Sequence, residues 1–287
     1  PGDAPEDWGL KTCLEKQWID LSADVQVIQP TGTHKASLVY LHGFTADGNS
    51  YLVEPHWFYR PKPKKKKKDK AAKGGKKSGT NANEDDEDQE YEPYPGLKVL
   101  LPTAPKRSIT CHGGQVDHAW YDYLTDLDGD GEDEPSREDL EEQTRRIHAL
   151  IDAEVARVGA RNVFVAGASQ GCGVATHAAL TYPGELGGLA GMMGHVLSCT
   201  EVTSDWAARR IPVFVYAGLA DETMKWEKWV KATWQRVEEA GGDVRTTIDD
   251  EAGHGDYEEQ WVRAFLAEAL RPAAVKTAGA KKATKKK

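Results

Sequence analysis

The sequence predicts an α/β fold with a mainly parallel central sheet and helices on both faces, and three observations carry that reading. Apolar runs of strand length alternate with helical patterns along most of the chain, the order that builds parallel sheets. The runs are continuous rather than alternating apolar and polar, as strands covered on both faces require. The helical stretches between them carry start and stop signals.

In chain order, the expected strands are "SLVYLHGF" from Ser37, "KVLLPTAP" from Lys98, "RNVFVAGASQG" from Arg161, "GLAGMMGHVLS" from Gly188 and "IPVFVYAGLAD" from Ile211. A helix is expected after Ser136, with Asp139 at the capping-box position, apolar residues from Leu140 to Val158, and Gly159 as its stop. A second is expected from about Glu222 to Ala240, where Trp226, Trp229, Val230, Trp234 and Val237 form a core-facing stripe before two glycines. A last helix is expected from about Tyr257, presenting Trp261, Phe265, Leu266 and Ala269.

At 287 residues, 39% hydrophobic and 29% charged, the chain has the composition of a globular protein. It lacks any apolar run long enough to cross a membrane as a helix. Cys13, Cys111, Cys172 and Cys199 show no paired spacing and are expected to be free thiols. The net charge of −9 hides a segregation: lysines concentrate between Arg60 and Lys77 and in the tail from Lys276, leaving the rest strongly acidic. A folded body of that sign repels nucleic acid. The expected organisation is one domain over residues 1–270, interrupted by a disordered charged insert at 60–96 and followed by a basic tail at 271–287. Position 1 is Pro1 rather than methionine, so the original N-terminus, and any leader, is left open.

The chemistry centres on "AGASQGCG", where Gly167-x-Ser169-x-Gly171 stands between an expected strand and an expected helix. A serine on so sharp a turn adopts an unfavourable backbone conformation, and side chains two residues to either side would collide. A serine nucleophile needs a base and a carboxylate to orient that base. Asp221, in "LADE" just past a strand, is the best-placed acid; Asp205, Asp243 and Glu222 are the other candidates. His254, in "AGHG", is the only histidine downstream of Asp221. His195 has a strand context and reads as a core or rim residue, and His42 as a brace for its loop. Oxyanion donors are expected at the N–H groups of Gln170, after the serine, and Phe44, in "YLHGFTADG".

These residues resemble the acyl-protein thioesterase and carboxylesterase family, the phospholipase/carboxylesterases of the α/β-hydrolase superfamily. "LHGFTAD", "LPTAP", "HAWYD", "GASQGCGVA", "AGLADE" and "AGHG" are similar to six family elements and stand in the family's order between about Ser37 and Leu270. The resemblance implies an α/β-hydrolase fold, a Ser169–His254–Asp221 triad, an oxyanion hole from Phe44 and Gln170, and cleavage of esters or thioesters through an acyl-enzyme without cofactor or metal. It implies acylated protein, lipid or small-ester substrates and a cytoplasmic setting; a small-ester carboxylesterase, a lysophospholipase and a catalytically idle charged binding module are the alternatives. Thr45 stands where the family usually has glycine, and Gly-Ala precedes the serine in place of Gly-Phe. Trp57, Phe58, Trp120 and Tyr121 are candidates to line a substrate pocket. Asp126, Asp128 and Asp130 match the first half of a calcium loop, but Arg137 occupies the place of its closing glutamate.

Overall fold

A computed structural model of the chain describes residues 19–21, 24–52, 57–62, 90–256 and 259–270. The described strands are β1 (Ile19–Leu21), β2 (Val25–Ile28), β3 (Thr31–Leu41), β4 (Tyr59–Pro61), β5 (Tyr91–Pro93), β6 (Pro95–Pro102), β7 (Lys106–Ile109), β8 (Gln115–His118), β9 (Val163–Ala168), β10 (Gly188–Met192), β11 (Pro212–Gly218) and β12 (Asp243–Asp249). The α-helices are α1 (Arg137–Val158), α2 (Gln170–Thr181), α3 (Ser204–Ala208), α4 (Lys231–Glu239) and α5 (Glu259–Ala269). One eight-stranded sheet runs β1-β2-β6-β3-β9-β10-β11-β12. From β6 onward every neighbouring pair is parallel, while β1 and β2 add an antiparallel edge.

Two cores explain the continuous apolar runs. Val39, Leu41, Val163 and Val165 pack on one face with Ile147 and Ile151 of α1 and Val174 and Ala178 of α2. Their chain neighbours Leu38, Tyr40, Phe164 and Ala166 point the other way, into a cluster with Trp57, Phe58, Phe265 and Leu266. Successive strand residues face opposite sides, so a strand covered twice has no polar position. Each buried large aliphatic or aromatic side chain contributes about 1.5–3 kcal/mol.

The helix ends show how local chemistry adapts. Ser136 caps α1 by accepting the Asp139 N–H at 3.4 Å. Asp139 does not close the expected box: its carboxylate accepts the Asp122 N–H at 3.0 Å and pairs with Arg107, tying the helix to the segment before it. The helix expected from Glu222 begins later, with one π turn over Trp226–Val230 leading into α4. Residues 222–225 are instead folded around Asp221. Trp226, Val230, Trp234 and Val237 are buried in the core as expected, whereas Trp229 is only partly buried and lines a pocket.

Strand β12 carries no apolar run, so it was not expected. It pairs with β11 from Pro212↔Asp243 to Gly218↔Asp249, and most of its side chains are exposed; a charged edge strand discourages pairing with other chains. The charged insert is narrower than 60–96. Tyr59–Pro61 pairs antiparallel with Tyr91–Pro93, the Lys62 N–H donates to Glu90 O at 2.8 Å, and β6 starts at Pro95. Residues 63–89 and the tail from 271 lie outside the described residues. Cys111, Cys172 and Cys199 are free thiols; Cys13 lies outside the described residues. Among the described residues, no helix is long and apolar enough to cross a membrane.

Candidate active site

Strand β9 delivers Ser169 to the carboxyl end of the sheet, and α2 begins at the next residue. Ser169 has φ 52° and ψ −122°, a region costly for any residue with a side chain. The flanking glycines make the turn possible. A Cβ on Gly167 would overlap the Gly171 carbonyl, and one on Gly171 would overlap the carbonyls of Leu41 and His42. Gly43 lies beside the serine but is less confined: a Cβ there would make an ordinary contact, 3.4 Å from Ser169 Cβ.

Asp221 follows β11 and is buried. Its Oδ1 accepts the N–H groups of Thr223 at 2.9 Å and Met224 at 2.7 Å, which is why the chain turns here before it becomes helical. Its Oδ2 lies 2.9 Å from Nδ1 of His254, and Nε2 of that ring lies 2.9 Å from Ser169 Oγ. With a proton on Nδ1, the imidazole offers its Nε2 lone pair to the serine. Asp249 holds the histidine loop from below: its Oδ1 accepts the N–H groups of Glu251 at 3.0 Å and Ala252 at 3.1 Å. Gly253 donates to Asp256 Oδ2 at 2.9 Å. Glu222 is exposed, Asp205 sits in the first turn of α3, and Asp243 pairs with Arg245 on β12; none of the three replaces Asp221.

The loop after β3 has its own brace. His42 is buried, with Nδ1 2.7 Å from Gly43 O and Nε2 accepting the Ala104 N–H at 2.9 Å. Burial lowers its pKa from 6.5 to about 4, so it is neutral and serves both contacts. Thr45 has φ 68°, the conformation that favours glycine, and its N–H donates to His118 O at 2.9 Å. Gln170 opens α2, so its N–H has no acceptor one turn back. Among the described residues the N–H of Phe44 likewise makes no backbone hydrogen bond. The Gln170 side chain has a role that the sequence did not reveal: its Oε1 accepts the Trp120 N–H at 2.8 Å and its Nε2 donates to Tyr121 O at 3.0 Å. The glutamine thereby joins the serine turn to the "HAWYD" segment.

A pocket of about 440 Å³ opens beside Ser169 and His254. Its aromatic wall is Phe44, Tyr123 and Trp229. Trp57, Phe58, Trp120 and Tyr121 are instead buried in the two cores, because the sheet faces claim them. The acidic loop read as half a calcium site folds over this pocket. Asp130 Oδ1 accepts from Lys225 and Lys228 at 2.6 Å each, and among the described residues no cluster of three or more His, Cys, Asp or Glu side chains could hold a metal ion.

The phospholipase/carboxylesterase family profile matches residues 87–262. The chain belongs to that family. It is 30% identical over 178 residues to the carboxylesterase SOBER1 of Arabidopsis thaliana, covering 58% of this chain and 76% of that protein. It is 27% identical over 192 residues to acyl-protein thioesterase 1 of Schizosaccharomyces pombe, covering 66% and 70%. The crystal structure of Zea mays acyl-protein thioesterase 2 superposes with a TM-score of 0.63 at 22% identity, covering 86% of this chain and all of that one. At that identity the likeness speaks for the fold, and the fold is that of the α/β-hydrolases.

Proposed function

We propose that this family member is a serine hydrolase that cleaves carboxylic ester or thioester bonds through an acyl-enzyme. The hydrogen-bonded file Ser169–His254–Asp221, at 2.9 Å for each link, supports the reading most strongly. Ser169 Oγ attacks the carbonyl carbon while His254 Nε2 takes its proton; Asp221 fixes the tautomer and stabilises the imidazolium. The N–H groups of Phe44 and Gln170 receive the developing oxyanion. His254 then gives the proton to the departing alcohol or thiol, and water, deprotonated by the same ring, releases the carboxylic acid and restores Ser169. A pocket of about 440 Å³ with carboxylates in its wall favours small or polar esters over long acyl chains. The test is a fluorophosphonate probe with mass mapping on wild-type and Ser169→Ala protein. A stoichiometric adduct on Ser169, absent from the variant, is expected; folded wild-type protein that does not label would overturn the proposal.

A further inference from the structure

Beside the serine, the pocket wall carries four carboxylates, Asp126, Asp128, Asp133 and Glu222, and no lysine or arginine among its described residues. Lys225 and Lys228 both bond Asp130, which does not line the pocket; Lys225 also donates to Asp128 O at 3.3 Å and feels the charges of Asp128 and Glu222, so two cations stand against five carboxylates. Burial outweighs the bonds of Asp133 to Leu127 and Thr125 and raises its pKa, with a smaller push from the charge of Asp126. An apolar acyl chain placed here would strip water from carboxylates and return nothing. A cation would answer them.

His195 belongs to the same wall and positions its aromatic face. It is 3% exposed, lines the pocket, and neither ring nitrogen makes a hydrogen bond; Glu132 Oε1 is 3.9 Å from Nε2. Its ring meets Trp229 edge-on, with centroids 4.8 Å apart, and Trp229 is itself fixed by donating Nε1–H to Gly129 O at 3.0 Å. The ring nitrogens of His195 are sealed from the pocket and face Glu132, so the pocket meets the aromatic wall and the carboxylates, which together stabilise an ammonium charge.

We propose that the pocket beside Ser169 binds a protonated amine, so that the substrates of this hydrolase are cationic esters or thioesters. This rests on the serine-hydrolase reading above and assigns its substrate class.

Thiol release from matched pairs at neutral pH and low salt tests it on the full chain. One pair is 2-(dimethylamino)ethyl thioacetate and its neutral isostere 3-methylbutyl thioacetate, with the charge on the leaving group. The other is the ethyl thioester of 4-(dimethylamino)butanoic acid and that of 5-methylhexanoic acid, with the charge on the acyl group. In at least one pair the cationic member is expected to show kcat/KM about tenfold higher. That ratio should fall towards one in the Asp128→Asn/Glu222→Gln variant, whose altered side chains are exposed and do not hold the fold, and with rising salt. Neutral members that match or beat the cationic ones in both pairs would overturn the substrate class, as would a preference that survives the double substitution. Fluorophosphonate labelling run in parallel separates the two proposals: labelling of Ser169 without a cationic preference removes this one alone, and no labelling removes the hydrolase reading.

Discussion

The two ends of the parallel strands each bury a carboxylate and surround it differently. At the amino end, where Ser37 of β3 and Lys98 of β6 are register partners, Glu154 of α1 accepts from Ser37 at 2.6 Å and Lys98 at 2.7 Å and pairs with Arg157. Two cations close that network. At the carboxyl end, Asp221 is held by two neutral backbone N–H groups and one imidazole. The same buried charge therefore joins helix to sheet at one end. At the other it is left for His254 to answer. Backbone strain gathers at the second end as well, at Thr45, Ser169 and Met193.

Substitutions can break this contrast, and the largest effects belong to the carboxyl end. Ser169→Ala is expected to lower ester turnover by about 10⁴-fold or more with little change in melting temperature. Asp221→Asn should cost about 10³–10⁴-fold in kcat, because an amide can stabilise the unproductive imidazole tautomer; steady-state kinetics on any substrate that turns over would show it. A loss below tenfold would make Asp221 a structural residue like Glu154.

The pH dependence of stability probes both ends. The folded protein keeps His42 neutral down to about pH 4, while an unfolded chain protonates it from 6.5 downward. Its contribution is therefore whole above pH 6.5 and is lost as pH falls towards 4, by at most about 3 kcal/mol. Thermal unfolding across that range should be flatter in His42→Gln. At the amino end, desolvation pushes the Glu154 pKa up, but the bonds from Lys98, Ser37 and Arg157 prevail and hold it below 4.5. Glu154→Gln should lose about 2 kcal/mol at neutral pH with unchanged kcat/KM. The gap from wild type should close below pH 4.5, as the folded carboxylate also protonates. Thr45→Gly is expected to have the smallest effect, a stabilisation of about 1 kcal/mol from relief of φ 68°, measured by urea unfolding.

What was legible in the sequence follows the same division. The central strands could be read because burial on two faces leaves only apolar positions, and Ser169 because its turn admits only glycine two residues to either side. Asp221 and His254 could be placed by order and strand context, without any direct sign that they touch. Strand β12 escaped because its place comes from backbone pairing with β11. Glu154 escaped because a buried glutamate in a charged helix looks like its exposed neighbours. The acidic loop from Asp126 to Asp133 looked like a solvated turn or half a calcium loop; tertiary contacts, from Trp229 to Gly129 and from Lys225 and Lys228 to Asp130, bring it over the serine.

The β4–β5 ladder has a consequence for how the chain tolerates change in length. Because Tyr59–Pro61 and Tyr91–Pro93 hold each other, the sheet receives both ends of the intervening chain at a fixed spacing, whatever lies between Lys62 and Glu90. The site is a natural port: the charged stretch could be trimmed to a short turn or exchanged for a reporter peptide, leaving the serine and histidine at their stations.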